Sequence, residues 1–587
     1  MTCIRSQPRP ELTTINLSFN RVGELGAFSL GIALQTNTSL QCLNLAGNRI
    51  GDDGAKALAD ALHANSALLS LDVSENNIGD RGSALLGEAL CVNATLQRML
   101  LANNRIGNVG AISLGDALRC NGSLEVLDLM NNVIDDVGAQ TIGDAMLINS
   151  GLRVLNIEQN VFGTMGAASL CLALRSNSRL EELLIRSSRA DKIEESQADV
   201  PNDSRPTWVQ SLCACVAPPP PSQSASLPAV VALPPAQWGD AIGANSTLQR
   251  MHLKHLQLEA SEIESLRDGL LVNASLQQLD LGSNRIGLEG VKVLCTALRV
   301  NKTLLRLSLS DNDLGNDGAK ELSDALCGVP KVHFFSIERG ACDALQELCL
   351  DSNGISWKGA EALGAALSVN ASLQRLNLDN NWIRVSGFSA VAAALGANTS
   401  LLRLDLNYTL NNIEDLAPAY QSLGEALAVN ANLTELRLER NYMNRQMCEQ
   451  LCASLRANTT LQSLYLGDNQ IGAHGAASLA QVLRENNSRL KHLYLAANAI
   501  GSEGAIALSD ALRSNTHLES LDLSRSDIRS DAAAASLCTM LRATGSLRKL
   551  NLYLNPINRT GQHAALLHDA ASASRGGACS VYITRPW

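Results

Sequence analysis

The sequence predicts an α/β solenoid, in which short parallel strands and helices alternate along almost the whole chain. The stretch Leu40–Asn65 has an alternating half, typical of a strand, followed by a half with apolar residues at helical spacing. The pattern recurs with its bend residue at positions 20, 48, 76 and onward, mostly 28 residues apart, in about 18 copies. One strand and one helix cannot bury their apolar faces alone, so the copies must stack.

Each part of the repeat has a predicted task. Leu43 should face the core and Asn44 should face outward, because successive strand side chains alternate. Asn48 follows the strand and should bend the chain, since its amide can satisfy backbone groups that the bend leaves free. Asp52 and Asp53 stand where the N-cap of the following helix is expected.

The repeat, written L-x-x-L-x-L-x-x-N-x-I-G-x-x-G-A-x-x-L-x-x-A-L, resembles the long leucine-rich repeat of the ribonuclease-inhibitor class. That class includes ribonuclease inhibitor, the GTPase-activating protein of Ran, and the repeat arrays of NOD-like receptors. The resemblance implies a leucine-rich-repeat solenoid shaped as a horseshoe, with parallel strands on its concave face and helices on its convex face. It says little about function, because the matching residues are the structural ones.

The spacing of the repeats predicts the domain organisation. Where the regular spacing is interrupted, the extra residues should be insertions, and the longest is proline-rich and is predicted to be disordered. The predicted segments are an N-terminal tail at 1–10, repeats 1–7 at 11–188, the proline-rich insertion at 189–235, further repeats at 236–575 with short insertions near 329–341 and 409–420, and a C-terminal edge strand and tail at 576–587.

Composition bounds the location and the partners. The 587 residues carry a formal net charge of −10, which argues against general binding to nucleic acid or to anionic membranes. The sequence shows neither a signal-peptide pattern nor an apolar run long enough to cross a membrane, so a cytoplasmic location is predicted. Cys91, Cys171, Cys295 and Cys327 fall near the helical part of their repeats, where reduced, buried thiols are expected.

Catalytic patterns are missing from the sequence. It contains no G-x-x-x-x-G-K-[ST] phosphate loop, no H-E-x-x-H zinc motif, no G-x-S-x-G elbow and no paired Cys-x-x-Cys. The prediction is therefore a non-enzymatic protein with no catalytic residues, no cofactor and no metal.

Binding should then depend on the variable positions of the concave face. Between residues 382 and 553 these positions become aromatic and charged, although aromatic residues make up only 3% of the chain, and Tyr, Trp and Arg dominate protein-binding hot spots. The predicted protein-binding residues are Trp382, Tyr408, Arg437, Glu439, Arg440, Tyr442, Tyr465, Tyr494, Arg525 and Tyr553. Arg437, Tyr465 and Tyr494 should form a ladder on adjacent strands, with Glu439 placed to pair with Arg437.

The predicted function is a protein-binding scaffold or sensor, whose partner is another protein rather than nucleic acid or a membrane. Two alternatives follow from the resemblance: a GTPase-activating protein like that of Ran, and an enzyme inhibitor like ribonuclease inhibitor. The sequence leaves the oligomeric state open.

Overall fold

A computed structural model describes residues 12–188, 237–328, 331–333, 336–338, 341–411, 414–485, 489–558, 562–574 and 579–583. It divides into two compact units, Met1–Leu256 and Gln257–Trp587. The proline-rich insertion predicted at 189–235 and the N-terminal tail at 1–10 lie outside the described residues.

The first unit alternates strands and helices from its beginning. Its strands are β1 Thr14–Asn16, β2 Cys42–Asn44, β3 Ser70–Asp72, β4 Arg98–Leu100, β5 Val126–Asp128, β6 Val154–Asn156, β7 Glu182–Arg186 and β8 Arg250–Lys254. Its helices are α1 Gly23–Thr36, α2 Gly51–Leu62, α3 Asp80–Val92, α4 Asn108–Cys120, α5 Asp136–Met146, α6 Thr164–Leu174 and α7 Trp238–Ala244. Each strand pairs in parallel with the next one, from β1 to β8.

The second unit repeats this alternation. Its strands are β9 Gln278–Asp280, β10 Arg306–Ser308, β11 Lys331–His333, β12 Ser336–Glu338, β13 Glu347–Cys349, β14 Arg375–Asn377, β15 Arg403–Asp405, β16 Glu435–Arg437, β17 Ser463–Tyr465, β18 His492–Tyr494, β19 Ser520–Asp522, β20 Lys549–Asn551 and β21 Ser580–Tyr582. Its helices are α8 Ala260–Val272, α9 Gly287–Leu298, α10 Gly315–Leu326, α11 Trp357–Leu367, α12 Arg384–Leu395, α13 Ala417–Val429, α14 Arg445–Leu455, α15 Gly472–Arg484, α16 Gly501–Leu512, α17 Asp531–Ala543 and α18 Gln562–Ser572.

The strands of the second unit form a parallel sheet, except for one hairpin. Strands β9, β10 and β13 to β21 pair in parallel in chain order. Strands β11 and β12 pair antiparallel with each other, within the segment where the sequence predicted an insertion near 329–341. Helix α13 begins at Ala417, inside the insertion predicted near 409–420, and the Tyr420 side chain is fully buried in the core.

Leucines form the core of both units, because most strands bury their inward-facing residues and the helices bury one face. In the repeat of β2 and α2, Leu43 and Leu58 are each 1% exposed, and they pack between the sheet and the helix layer. The asparagine that follows most strands is also buried, and its side chain bonds to the preceding repeat, as Asn76 shows. Asn76 Oδ1 accepts from the backbone N–H of Asn48 at 2.9 Å and of Ile50 at 3.2 Å. The predicted bend therefore also ties neighbouring repeats together.

Asp52 and Asp53 do not cap their own helix, so the prediction for these two residues is wrong. Helix α2 has no side-chain cap. Asp52 Oδ1 instead accepts from the backbone N–H groups of Gly79 at 2.6 Å and Gly82 at 3.1 Å, at the start of helix α3 in the next repeat. A carboxylate at a helix N-terminus stabilises that helix whichever repeat supplies it. Capping therefore couples consecutive repeats.

Candidate functional site

The predicted binding residues fall into two groups, both within the second unit. Arg437, Tyr465 and Tyr494 are the last residues of β16, β17 and β18, and they are paired in register across the sheet. The leucine before each of them is buried while they are half-buried, so their side chains lie on the sheet face away from the core. We call these three residues the tyrosine stack.

The side chains of the tyrosine stack contact one another directly. The ring centroids of Tyr465 and Tyr494 are 4.2 Å apart, and the ring planes differ by 8°. The Arg437 guanidinium carbon lies 4.3 Å from the centroid of the Tyr465 ring, which is cation–π geometry. Burial raises the pKa of Tyr465 to about 12, and the neighbouring Tyr494 adds to the rise, so the phenol stays protonated at neutral pH.

A network of alternating charges holds Arg437 in place. Arg437 Nη2 lies 2.8 Å from Glu435 Oε1, and Arg437 Nε lies 3.5 Å from Asp405 Oδ1. Arg403 pairs with both acids, at 2.8 Å from Asp405 and 3.5 Å from Glu435. These partners were not predicted from the sequence, although Arg403 and Glu435 occupy the same position in successive repeats and Asp405 and Arg437 share another. Aligning the repeats column by column would have shown this alternation.

Glu439 does not take the predicted place beside Arg437, which pairs with the two acids above instead. The Glu439 carboxylate extends over Gly467, where an added Cβ would lie 2.8 Å from Glu439 Oε1. Burial raises the pKa of Glu439; Asp468 and Asp522 act in the same direction, and Arg437 opposes them. Glu439 is thus a half-buried acid beside the stack.

A second desolvated acid lies two strands before the stack. Asp379 accepts from the backbone N–H of Asn407 at 2.7 Å and from its amide Nδ2 at 2.9 Å. Asn407 Oδ1 in turn accepts from the backbone N–H of Glu439 at 2.7 Å. Burial raises the pKa of Asp379 to about 6, against the two bonds from Asn407, and Asp405 and Asp351 add to the rise.

The aromatic residues of the other group lie in the loops after the strands, so their predicted place on the strand face is wrong. Trp382, Tyr408 and Tyr442 line a cavity of about 200 Å³. The Trp382 side chain is 75% exposed and that of Tyr408 is 51% exposed. Arg384, which also lines the cavity, lies 3.9 Å from Glu414.

Arg440, Arg525 and Tyr553 also follow their strands rather than lying on them. The backbones of Arg440 and Arg525 are left-handed, with φ of 58° and 54°. Arg440 Nε lies 3.4 Å from Asp468 Oδ2. Tyr553 is 51% exposed, one position beyond Leu552, which is buried. These residues therefore belong to the edge formed by the strand C-termini.

The last strand position has a structural role in many repeats that the tyrosine stack does not perform. In those repeats it holds Asn or Asp, whose Oδ1 accepts from the backbone N–H two residues later and so stabilises the turn. The residues that do this are Asn16, Asn44, Asp72, Asp128, Asn156, Asp280, Asn377, Asp522 and Asn551. In β16, β17 and β18 the last strand position instead holds Arg437, Tyr465 and Tyr494, whose side chains contact one another.

Within the residues that the structure describes, no group of three or more His, Cys, Asp or Glu side chains is placed to hold a metal ion. No helix in the described ranges is long and apolar enough to cross a membrane.

Comparison with known proteins identifies the repeat. The family described as Leucine Rich repeat matches residues 36–59, 64–86, 120–143, 272–295, 300–323, 457–480, 486–509 and 514–535. These matches lie in both units, and together with the alternating parallel strands and helices they confirm the predicted fold class, a leucine-rich-repeat solenoid.

Two solved structures illustrate the similarity. The structure of leiomodin-1 actin-binding site 2 is 25% identical, with a TM-score of 0.22, and the match covers 24% of this chain and 82% of that one. The structure of a TLR13–ssRNA13 complex is 16% identical, with a TM-score of 0.47, and covers 92% of this chain and 70% of that one. A search of curated proteins found no match.

Proposed function

We propose that this leucine-rich-repeat chain is a non-enzymatic scaffold or sensor that binds another protein through the tyrosine stack. The observation that carries the proposal is the loss of the turn-stabilising Asn or Asp in three consecutive repeats, in favour of Arg437, Tyr465 and Tyr494. Positions at which a chain departs from its own structural rule are where function is expected. The cytoplasmic location predicted from composition belongs to the same proposal.

The stack suits binding because its geometry exists before a partner arrives. Arg437 is held by two acids and by the Tyr465 ring, and the Tyr494 ring lies flat on that of Tyr465. Ordering a flexible side chain at an interface costs roughly 0.5–1.5 kcal/mol, and side chains that are already ordered avoid much of that cost. Tyrosine and arginine are also the residue types that contribute most to binding in alanine scans.

The charges around the stack favour a basic partner. Asp379, Glu439 and Asp522 form no ion pair with any basic side chain in the part of the chain that the structure describes. Burial desolvates Asp379 and Glu439, and such carboxylates gain from a cation, because its field offsets the unfavourable burial of their negative charge. The proposed partner therefore presents Arg or Lys side chains beside an apolar group that covers the tyrosine rings.

The test is a double substitution, Tyr465→Ala with Tyr494→Ala. We expect binding of a partner identified by quantitative capture to weaken at least about tenfold, roughly 1.4 kcal/mol, with a nearly unchanged melting temperature. The control is Asn44→Ala with Asp72→Ala at the same strand position in the first unit. It removes two turn-stabilising bonds and should lower stability there, but it should leave binding unchanged. Tyr465→Phe with Tyr494→Phe keeps both rings and should retain most of the affinity.

The proposal has a clear contrary outcome. If the alanine double variant melts early and still binds its partner with wild-type affinity, the stack is part of the architecture and the binding site is elsewhere. The expectation that nucleic acid is not a partner rests on composition, so labelled single-stranded RNA should be titrated against the same variants. Binding of RNA that is lost with the two tyrosines would replace the protein partner by a nucleic acid.

The resemblance to the ribonuclease-inhibitor class remains part of the proposal, together with the two alternative functions that it implies. A GTPase-activating protein like that of Ran would accelerate GTP hydrolysis by a small GTPase, whereas a scaffold would bind without acceleration. An inhibitor like ribonuclease inhibitor would block an enzyme and lose that effect when its thiols are oxidised. Both assays can use the tyrosine variants, which should remove either effect if it depends on the stack.

A further inference from the structure

Two cysteines of the first unit differ from the other thiols that the structure describes. Cys91 and Cys120 are exposed, whereas the other described cysteines are buried or half-buried. The prediction of a buried thiol is therefore wrong for Cys91, and Cys327 is only half-buried, while Cys171 and Cys295 are buried as expected.

Cys91 and Cys120 face each other across two packed helices. Cys91 lies near the end of α3, Cys120 is the last residue of α4, and their Sγ atoms are 3.2 Å apart. The helices approach closely one turn earlier, where a Cβ added to Gly87 would lie 2.9 Å from the Ser113 carbonyl oxygen. A disulfide needs an Sγ–Sγ distance of about 2.0 Å, so the two sulfurs must approach by about 1 Å.

We propose that Cys91 and Cys120 are an oxidative modification site, which forms an intramolecular disulfide with a peroxide as the two-electron oxidant. In the first step the Cys120 thiolate attacks an oxygen of hydrogen peroxide, the O–O bond breaks and Cys120 becomes a sulfenic acid. The hydroxide that leaves takes up the proton that the Cys120 thiol had lost and is released as water. In the second step Cys91 attacks the sulfenic sulfur, loses its proton and expels hydroxide, which leaves as a second water. Two thiols are oxidised while one peroxide is reduced to two waters.

The surroundings of Cys91 support this order of attack. Burial raises the pKa of Cys91 to about 11, and Cys120 and then the carboxylates of Asp116 and Glu88 add to the rise. Cys91 is thus mostly a protonated thiol at neutral pH, which disfavours it as the group that attacks peroxide, because the thiolate is the attacking form. In the second step Cys91 loses its proton as it attacks the sulfenic sulfur, which lies directly beside it. Cys120 lies on the exposed last turn of its helix, where peroxide can reach it. Its thiol donates to the carbonyl oxygens of Asp116 and Ala117, each at 3.4 Å, and must lose this proton before it attacks.

The disulfide would join two consecutive repeats. The linked residues are 29 positions apart, and the bond would tie the C-terminal ends of α3 and α4, which are neighbours in the array. Each repeat in a solenoid contacts its neighbours, so a bond between two helices restricts local opening at that point. Reduction by a dithiol would restore the free thiols and remove the restriction.

The test is peptide mapping of the full chain after treatment with hydrogen peroxide, followed by alkylation and trypsin digestion. The expected product joins the tryptic peptides 82–98 and 120–153, with two hydrogens fewer than the separate peptides, and it disappears after treatment with dithiothreitol. Hydrogen exchange of the oxidised chain should slow in α3 and α4 relative to the reduced chain. Cys91→Ser should abolish the joined peptide and leave Cys120 as a sulfenic acid that dimedone traps.

The controls separate this site from general oxidation. Cys327→Ser, which removes a half-exposed thiol at the end of α10, should leave the joined peptide unchanged. Cys448 and Cys452 on α14 are buried and should be alkylated only after denaturation. If both Cys91 and Cys120 are recovered alkylated after oxidation, or if Cys120 is found joined to a second chain in dilute solution, the proposal is wrong.

Discussion

The buried asparagine that follows most strands is predicted to contribute more to stability than a single contact suggests, and Asn76→Ala tests this. Asn76 is completely buried. Its Oδ1 accepts from the N–H groups of Asn48 and Ile50, and its Nδ2 donates to the carbonyl oxygens of Leu45 and Ser74, both at 2.9 Å. Alanine removes all four bonds at once.

The magnitude depends on which groups are left without a partner. The Leu45 carbonyl keeps its bond from Asn48 Nδ2 at 2.9 Å, and the Ser74 carbonyl keeps its bond from the Gly47 N–H at 3.0 Å. The N–H groups of Asn48 and Ile50 have no such second bond among the described contacts. Two buried, unsatisfied donors cost about 1–3 kcal/mol each, so the variant should lose about 2–6 kcal/mol of local stability.

Amide hydrogen exchange measures this loss directly, because an array of repeats is not expected to unfold in one step. Exchange should accelerate at least about thirtyfold in the segment 48–76, because the lower bound of about 2 kcal/mol corresponds to that factor when 1.4 kcal/mol corresponds to a factor of ten. Exchange should change little in the second unit. Ser70→Ala, on the outer face of β3, is the matched control and should have no effect. Unchanged exchange at Asn48 and Ile50 in the alanine variant would refute the reasoning, as would equal loosening of both units.

Two further predictions concern the second unit. Leu378→Ala should lower stability by about 2–5 kcal/mol, because Leu378 is completely buried directly after β14. Amide hydrogen exchange should accelerate mainly in the adjoining repeats, and equal acceleration in all repeats would contradict this. For Asp379, the folded-state pKa of about 6 lies above the ordinary 3.8, so the stability that its proton provides is complete below pH 3.8 and is lost as the pH rises through 6. Asp379→Asn should remove about 1–3 kcal/mol of this pH dependence, measured from urea midpoints at pH 4 and pH 7. If the stability of the variant depends on pH as steeply as that of the wild type, another group titrates.

The fold could be predicted from the sequence because its determinants are local and repeated. Leucine spacing defines strand and helix within one repeat, and the recurring bend requires parallel stacking. Interactions between repeats were harder to predict. Asp52 was assigned to its own helix because capping rules compare residues a few positions apart, whereas its partners Gly79 and Gly82 lie 27 and 30 positions later. The same limit applies to Cys91, whose neighbour Cys120 lies 29 positions later.

The candidate site was predicted in part for a related reason. Alternation along a strand placed Arg437, Tyr465 and Tyr494 on one face, and the parallel register brings them together. The choice of ionic partner for Arg437 could not be settled from spacing, because Glu439 and Glu435 are equally distant in sequence. The network with Glu435 and Asp405 decides it. The loop aromatics, including Trp382, were misplaced because the alternation rule stops where the strand ends.

The division of the aromatic residues also determines where binding energy should concentrate. The tyrosine stack is half-buried and ordered by contacts within the chain, so a partner gains contact area there without ordering many side chains. Trp382 is 75% exposed in its loop, so a partner must first restrict its motion, at roughly 0.5–1.5 kcal/mol. Trp382→Ala should therefore weaken binding less than the double tyrosine variant does. If it weakens binding more, the loop cavity is the centre of the interface and the strand face is its margin.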